Sequence, residues 1–436
     1  MTRVNESDAT LKDAQKAMQA GNFPAASAIA QQVLSDQPAH QDALYIAAVC
    51  ARYEGRHADA ADWLADLKAT APDFGRAFQE EGHLKRKLGD VPGALRAYQI
   101  ATRYNPALSA SWTAQADLLA TLGDSDAAMI ARTQAERLAA LPRELLAVIN
   151  HVHEGRIFRA EEIARAFLQR HPTHVEGMRL LADIGTRLGV HEDADFLLES
   201  AIELEPDNIQ LRLDYIHVLR KRQKFTESLA QARDLVARDP NNPLFQSYFA
   251  IESMQAGDFE TALAQFDEIL TKLPDDPATL VSRGHALKTH GRSDDAIASY
   301  RAATQAEPGQ GDAWYGLANL KTYRFNDDEL AVLEKQAGAQ DLDQMSRIHI
   351  AFTLGKAYED RGDFERAFQA FALGNKLKHQ TVRYTTAQMH AEFDAQKSVC
   401  TPDLFAAQAG KGCSAPDPIF ILGLPRAGST LIEQIL

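Results

Sequence analysis

The sequence predicts an all-α chain, a long array of helix pairs, followed by the first strand, loop and helix of an α/β unit. Three observations carry this expectation. Glycine returns every 34 residues at Gly21, Gly55, Gly89 and Gly123, then, after one step shortened by two, at Gly155, Gly189, Gly257 and Gly291, with Gln223 in the slot between. Proline keeps the same beat seventeen residues after a slot, at Pro38, Pro72, Pro106, Pro172, Pro206, Pro240, Pro274 and Pro308. Between these marks the apolar residues fall at three- and four-residue steps, as in Phe259, Ala262, Phe266 and Ile269, the spacing of one buried helix face.

Each glycine marks a turn between two helices, because a residue without a Cβ enters the left-handed backbone region at no steric cost. Each proline ends the second helix before the next pair begins. Ala26, Ala60, Ala94, Ala128, Ala160, Ala194, Ala262 and Ala296 sit five residues after their slots, where a small side chain lets paired helices approach closely. Trp112, Trp314, Tyr98, Phe266 and Tyr300 hold recurring aromatic places. This pattern resembles the tetratricopeptide repeat, a 34-residue helix–turn–helix unit. The resemblance implies about eleven units over residues 7–376, roughly 85% of the chain. Ten run to about Gln340, the tenth with Phe325 in the glycine slot, and the eleventh spans Ile348 to Asn375 after an insertion of three residues. Such units are expected to stack into a right-handed superhelix whose concave groove binds a protein or peptide.

The groove itself names no ligand. An amide ladder gripping extended peptide needs Asn at the ninth position of each unit, but that position reads Gln15, Val49, His83, Asp117, Ile149, Asp183, His217, Ile251, His285, Asn319 and Lys356. The Lys/Asn clamp for a terminal carboxylate is missing as well. His151 and His153 point to different faces of a helix, and His171 and His174 flank Pro172 in a turn. Cys50, Cys400 and Cys413 form no CxxC pair, so no metal is expected. Arg220, Lys221, Arg222 and Lys224 read as a solvated helix end, where cations suit the helix dipole.

The 436 residues carry 46 Lys+Arg against 60 Asp+Glu, a formal charge of −14, of which about −13 lies on the first 378 residues. That acidity argues against a general nucleic-acid binder, which needs a basic face to displace phosphate counterions. Every apolar stretch is far shorter than the roughly eighteen residues of a membrane span, and MTRVNESDAT has no apolar signal core. The expected compartment is the cytoplasm, with no membrane partner.

Past His379 the 34-residue beat stops. Residues 377–416, with Pro402, Gly410, Gly412 and Pro416, read as a connector, and residues 417–436 as the start of a second domain. Residues 418–424 form an apolar, β-branched run bounded by prolines, the pattern of a buried parallel strand. A small-residue turn follows to Thr430, and Leu431 begins a helical pattern. Strand, turn and helix start together make an anion cradle, since unpaired N–H groups and the positive end of the helix dipole converge there. Measured against the nucleotide loop GxxxxGK(S/T), Gly423 to Thr430 keeps both glycines and the final hydroxyl but has Ser429 where the phosphate-binding lysine belongs. An ordinary ATPase or GTPase is therefore not expected.

The stretch PIFILGLPRAGSTLIEQIL resembles the 5′-phosphosulfate-binding loop of sulfotransferases that use 3′-phosphoadenosine 5′-phosphosulfate (PAPS). The form is the PRSGTT of tyrosylprotein sulfotransferases and of bacterial sulfotransferases with N-terminal tetratricopeptide repeats. The resemblance assigns donor binding to Arg426, the backbone of Ala427 and Gly428, and the hydroxyls of Ser429 and Thr430, with Ala427 replacing the usual Ser. It implies sulfuryl transfer to a hydroxyl on a protein or glycan acceptor recruited by the repeats. Such an in-line displacement needs positioning, charge stabilisation and a base, but no metal. In the family the base and the 3′-phosphate ligands lie further along, so the catalytic residues are expected beyond Leu436 and the chain is expected to be truncated and inactive as it stands. Glu433, in the first turn, is read as a partner of the helix dipole. The alternative is a non-enzymatic tetratricopeptide scaffold mediating protein–protein interaction.

Overall fold

The computed structural model describes residues 2–436 apart from 321, 340, 341, 383, 413, 414, 416–418, 425 and 426, with backbone alone for residues 2–9. It forms two compact units, Met1–Thr271 and Lys272–Leu436.

In the first unit consecutive helices fall into pairs: α1 (Thr2–Gln19) and α2 (Phe23–Asp36), α3 (Gln41–Tyr53) and α4 (His57–Thr70), α5 (Gly75–Lys87) and α6 (Val91–Tyr104), α7 (Ser109–Leu122) and α8 (Ser125–Ala139). Then come α9 (Arg143–His153) and α10 (Ile157–Arg170), α11 (Val175–Leu188) and α12 (His191–Leu204), α13 (Ile209–Lys221) and α14 (Phe225–Arg238), α15 (Pro243–Gln255) and α16 (Phe259–Lys272). The second unit has α17 (Pro277–Thr289) and α18 (Ser293–Ala306), α19 (Gly311–Ala318) and α20 (Asp327–Ala337), α21 (Gln344–Asp360) and α22 (Phe364–His379). Three helices follow outside the pairing, α23 (Thr386–Val399), α24 (Pro402–Ala407) and α25 (Ser429–Ile435).

The turns follow from backbone sterics. All eight glycines of the 34-residue beat have φ between 73° and 86°, a region that a Cβ penalises. Gln223 holds the same slot with φ 59° and is the only described non-glycine residue at positive φ. Side-chain oxygens of Asn22, Asp90, Asp124, Asn208 and Asp276 accept from backbone N–H groups of the first helical turn, which satisfies donors the helix leaves unpaired. At the other end α2 stops at Asp36, Gln37 caps it and Pro38 follows.

Packing explains the small residues. The eight alanines placed five residues after their slots are all buried. After the Gln223 slot that place is Ser228, also buried, whose hydroxyl donates to Glu252 Oε2 at 2.7 Å. Glu252 is wholly buried and is compensated by Arg220, whose Nε lies 2.9 Å from Oε1. In the second unit the ring of Tyr300 lies between Gly284 and Gly316. A Cβ at either would come within 2.5 or 2.7 Å of that ring. Gly82 makes the same room for Tyr98 in the first unit, where a Cβ would approach to 2.6 Å. Helices thus lock together by an aromatic ring set against bare backbone, a contact that overpacking disrupts.

The tenth pair departs from the pattern. Helix α19 has only eight residues, and Phe325 is buried with its ring centroid 6.2 Å from that of Trp314, filling core rather than making a tight turn. Helix α20 then starts from a capping box between Asn326 and Glu329.

The strand expected over 418–424 is not formed among its described residues, and Pro418 lies outside them. Residues 419–424 are irregular, with Ile419, Phe420, Leu422 and Leu424 between 70% and 89% exposed, and no strand occurs among the described residues. A lone β segment would leave its N–H and C=O groups without a ladder, and a parallel strand needs neighbours beside it and cover on both faces. Nor do α23 and α24, in the stretch read as a connector, bury any residue.

Replacing Gln223 by Gly is expected to stabilise the first unit by about 0.5–1 kcal/mol, the relief of a Cβ at positive φ less the chain entropy that glycine adds to the unfolded state. Urea unfolding measures it, and an unchanged or lower midpoint contradicts the strain.

Candidate functional site

First helices of consecutive pairs touch one another, as in α1–α3, α3–α5, α9–α11, α11–α13 and α17–α19, whereas no second helices of consecutive pairs are in comparable contact among the described residues. The first helices therefore converge and form the inner side of each stack. One register on them, thirteen places before the turn slot, holds Asp42, Arg76, Asp312 and His349. Each of these four meets a side chain from another pair.

In the first unit the turn between α9 and α10 closes onto this register. Glu154 Oε1 lies 2.5 Å from Arg76 Nε on α5, and Arg156 Nη2 lies 2.5 Å from Asp42 Oδ1 on α3. Arg156 also approaches Glu154 at 3.7 Å, so the four charges alternate in a chain. The Glu154 side chain is only 4% exposed. Beside this clasp is a cavity of about 240 Å³, lined among others by Met18, Tyr45, Ile46, Phe74 and His151. Burial, reinforced by Glu80, pushes the Tyr45 phenol well above its ordinary range.

Further along, α11 and α13 leave an open cleft of about 400 Å³ lined by Arg179, Asp183, Arg187, Asp214, His217 and Lys221. Arg179 is held by Glu176 at 2.7 Å and Asp214 at 3.1 Å, and Arg187 by Asp183 at 2.9 Å. The side chains of His217 and Lys221 make no hydrogen bond or ion pair among the described residues. Burial, with Lys221 and Arg220 nearby, lowers the His217 pKa.

In the second unit Asp312 stands between His285 Nε2 at 3.5 Å and His349 Nδ1 at 3.9 Å, one side chain from each of α17, α19 and α21. Tyr315 stacks on His349 with centroids 4.7 Å apart. The His285 contact holds the Asp312 carboxyl below its usual range. Two ninth-position histidines serve the core instead of a ligand: His83 Nδ1 and His285 Nδ1 each lie 2.7 Å from a buried tyrosine hydroxyl, of Tyr98 and Tyr300. No three His, Cys, Asp or Glu side chains converge as a metal site among the described residues, and no described helix is long and apolar enough to cross a membrane.

Of the loop residues singled out in the sequence, Arg426 lies outside the described residues. Gly428 caps α25 with φ 88°, and the N–H groups of Gly428, Ser429 and Thr430 have no backbone partner among the described residues, as in the first turn of any helix. The Ala427 N–H donates to Leu424 O at 3.1 Å.

The family model of the tetratricopeptide repeat matches residues 11–73, 80–140, 213–277 and 281–343. The chain belongs to the tetratricopeptide repeat family. Its pairs α9 to α12 show the same turns outside the matched residues. An uncharacterized protein of Aquifex aeolicus is 31% identical over 117 residues, 27% of this chain and 15% of that protein. The human protein O-mannosyl-transferase TMTC1 is 25% identical over 39% of this chain and 20% of its own length. The chain thus spans a fifth or less of these two curated relatives. Among solved structures, the tetratricopeptide protein YrrB, described as having an unusual peptide-binding site, is 15% identical over 50% of this chain and 95% of its own, with a TM-score of 0.32.

Sequence reasoning missed the clasp and the Asp312 group, although the register was visible. Asp42 and Arg76 are 34 residues apart, and Asp312 and His349 are 37 apart, one period plus the insertion. Burial also lowers the pKa of His83, His151, His153, His217 and His349. Their unfolded rings bind protons near pH 6.5, so the unfolded state takes up more protons as pH falls, and stability that is full above that value drains below it. The urea midpoint is expected to fall between about pH 7.5 and pH 5.5; an equal or higher midpoint at the lower pH contradicts this.

Proposed function

We propose that the chain is a docking scaffold that binds an extended segment of a partner protein along the inner faces of its first helices. The observation that carries this reading is the cleft between α11 and α13, open, about 400 Å³, and holding two polar side chains, His217 and Lys221, without partners. Family membership supports it, because stacked repeats present one continuous inner surface and leave chemistry to other parts of a protein. Peptides selected from a displayed random library against the chain are expected to bind at least about tenfold more weakly to His217→Ala/Lys221→Ala, by loss of one to two polar contacts. Phe196→Ala, on an exposed part of α12, should leave them unchanged. Selected peptides that respond to Phe196 and ignore the inner pair would contradict the reading.

A second reading rests on the loop. We propose that a protein carrying Gly423 to Thr430 transfers a sulfuryl group from PAPS to a hydroxyl presented by the repeats, acting in the cytoplasm. What supports it is the motif, together with a turn at Gly428 that leads directly into α25. Arg426, the amides at Ala427 and Gly428, and the hydroxyls of Ser429 and Thr430 would hold the donor's 5′-phosphate and stabilise charge on the leaving oxygen. In a protein that carries this loop, Arg426→Ala is expected to weaken binding of 3′-phosphoadenosine 5′-phosphate about tenfold or more, the scale of a charge-assisted contact of 1.5–3 kcal/mol. Calorimetry checks it. No binding to the unsubstituted protein would remove the enzyme reading and leave the scaffold.

A further inference from the structure

We propose that the inner face of α3 and α5 is a recognition surface for peptide segments carrying a carboxylate and a guanidinium two residues apart. In this reading the chain's own Glu154–Gly155–Arg156 turn covers that surface as a built-in pseudo-ligand. The inference rests on the docking reading above and deepens it by naming a partner chemistry.

The turn reaches partners far away in sequence: Arg156 and Asp42 are 114 residues apart. Its two charges engage two different first helices, the carboxylate at Arg76 and the guanidinium at Asp42, so the surface offers one cation and one anion at the spacing of an acid–x–base tripeptide. The chain supplies an internal control. Glu54–Gly55–Arg56, the same tripeptide in the turn between α3 and α4, makes its ion pairs locally, Arg56 meeting Glu54 at 2.5 Å and Asp59 at 2.6 Å, and reaches beyond its own pair only through one hydrogen bond from Arg56 Nη2 to the uncharged Ser27 Oγ at 3.4 Å. The tripeptide therefore has no inherent need for remote charges, and the charged surface opposite Glu154 and Arg156 is what distinguishes the two turns. Charge pairs largely withdrawn from water, as Glu154 is, discriminate strongly between matched and mismatched partners.

The turn does not fill the whole surface. The adjoining cavity of about 240 Å³ has Tyr45, Ile46, Phe74 and Met18 in its wall, with the Phe74 ring edge-on to Tyr45 at 5.9 Å. It has room for one apolar side chain, so a partner segment that adds such a residue beside its acid–x–base motif gains a contact the pseudo-ligand lacks. That gain is what lets a separate segment compete with a turn held nearby by the chain itself.

The probe is a synthetic peptide of residues 148–160, VINHVHEGRIFRA, and a control with the Glu and Arg positions exchanged. Both are titrated into the intact chain and into Glu154→Gln/Arg156→Gln, which frees Arg76 and Asp42. The probe is expected to bind the freed variant at least tenfold more tightly than it binds the intact chain, and at least tenfold more tightly than the control does. A folded variant that does not distinguish the two peptides overturns the proposal. Should the variant fail to fold, hydrogen exchange on the unsubstituted chain decides. Saturating probe peptide, by displacing the turn, is expected to speed exchange severalfold at residues 154–157 and to leave residues 54–57 unchanged, whereas equal response of the two turns overturns the proposal. If library peptides bind between α11 and α13 while the probe fails, this inference falls and the docking reading stands; if both fail, the reading itself falls.

Discussion

The close approach of neighbouring helices, permitted by glycine and alanine where larger residues would clash, is the constraint on which the rest of the structure depends. Tyr300 between Gly284 and Gly316, and Tyr98 over Gly82, show it most plainly, because each ring occupies the volume a Cβ would need. Buried alanines do the same on the second helix of every pair except α19–α20. A stack built this way is sensitive at a few places and tolerant elsewhere, since the cost of an added methyl depends on whether the facing ring can move.

Close pairing of this kind dictates the surface. First helices converge on the inner side, so residues one period apart come within reach of each other and of the turns that face them. In the first unit the shortened α9, with eleven residues, ends in a turn whose charges meet Arg76 and Asp42. The same inner side is open between α11 and α13. One scaffold thus holds a stretch already engaged by its own chain and a stretch facing solvent. Polar groups recur there because an inner face that stays wet has to remain soluble when nothing is bound.

Much of the helical fold was legible in the sequence because a single physical requirement repeats. Positive φ favours glycine, so the 34-residue beat gives the turns of the first nine pairs, and Gln223 is exposed as the exception by its place in the series. Phe325 was legible as a break in the beat, but not as a core residue, since its contact with Trp314 depends on how α19 ends. Residues 418–424 misled because an apolar β-branched run fits a strand only when other strands pair with it, and local composition carries no information about partners. The clasp was hidden for a related reason. Asp42 and Arg156 are ordinary charges in sequence, and the stacking of two intervening pairs makes them neighbours.

The measurement that tests the docking claim most directly is hydrogen exchange of the first unit with and without a saturating bound peptide. The account predicts slowed exchange along α11 and α13, with α12 and α14 little changed. Slowing confined to α12 and α14 would contradict it.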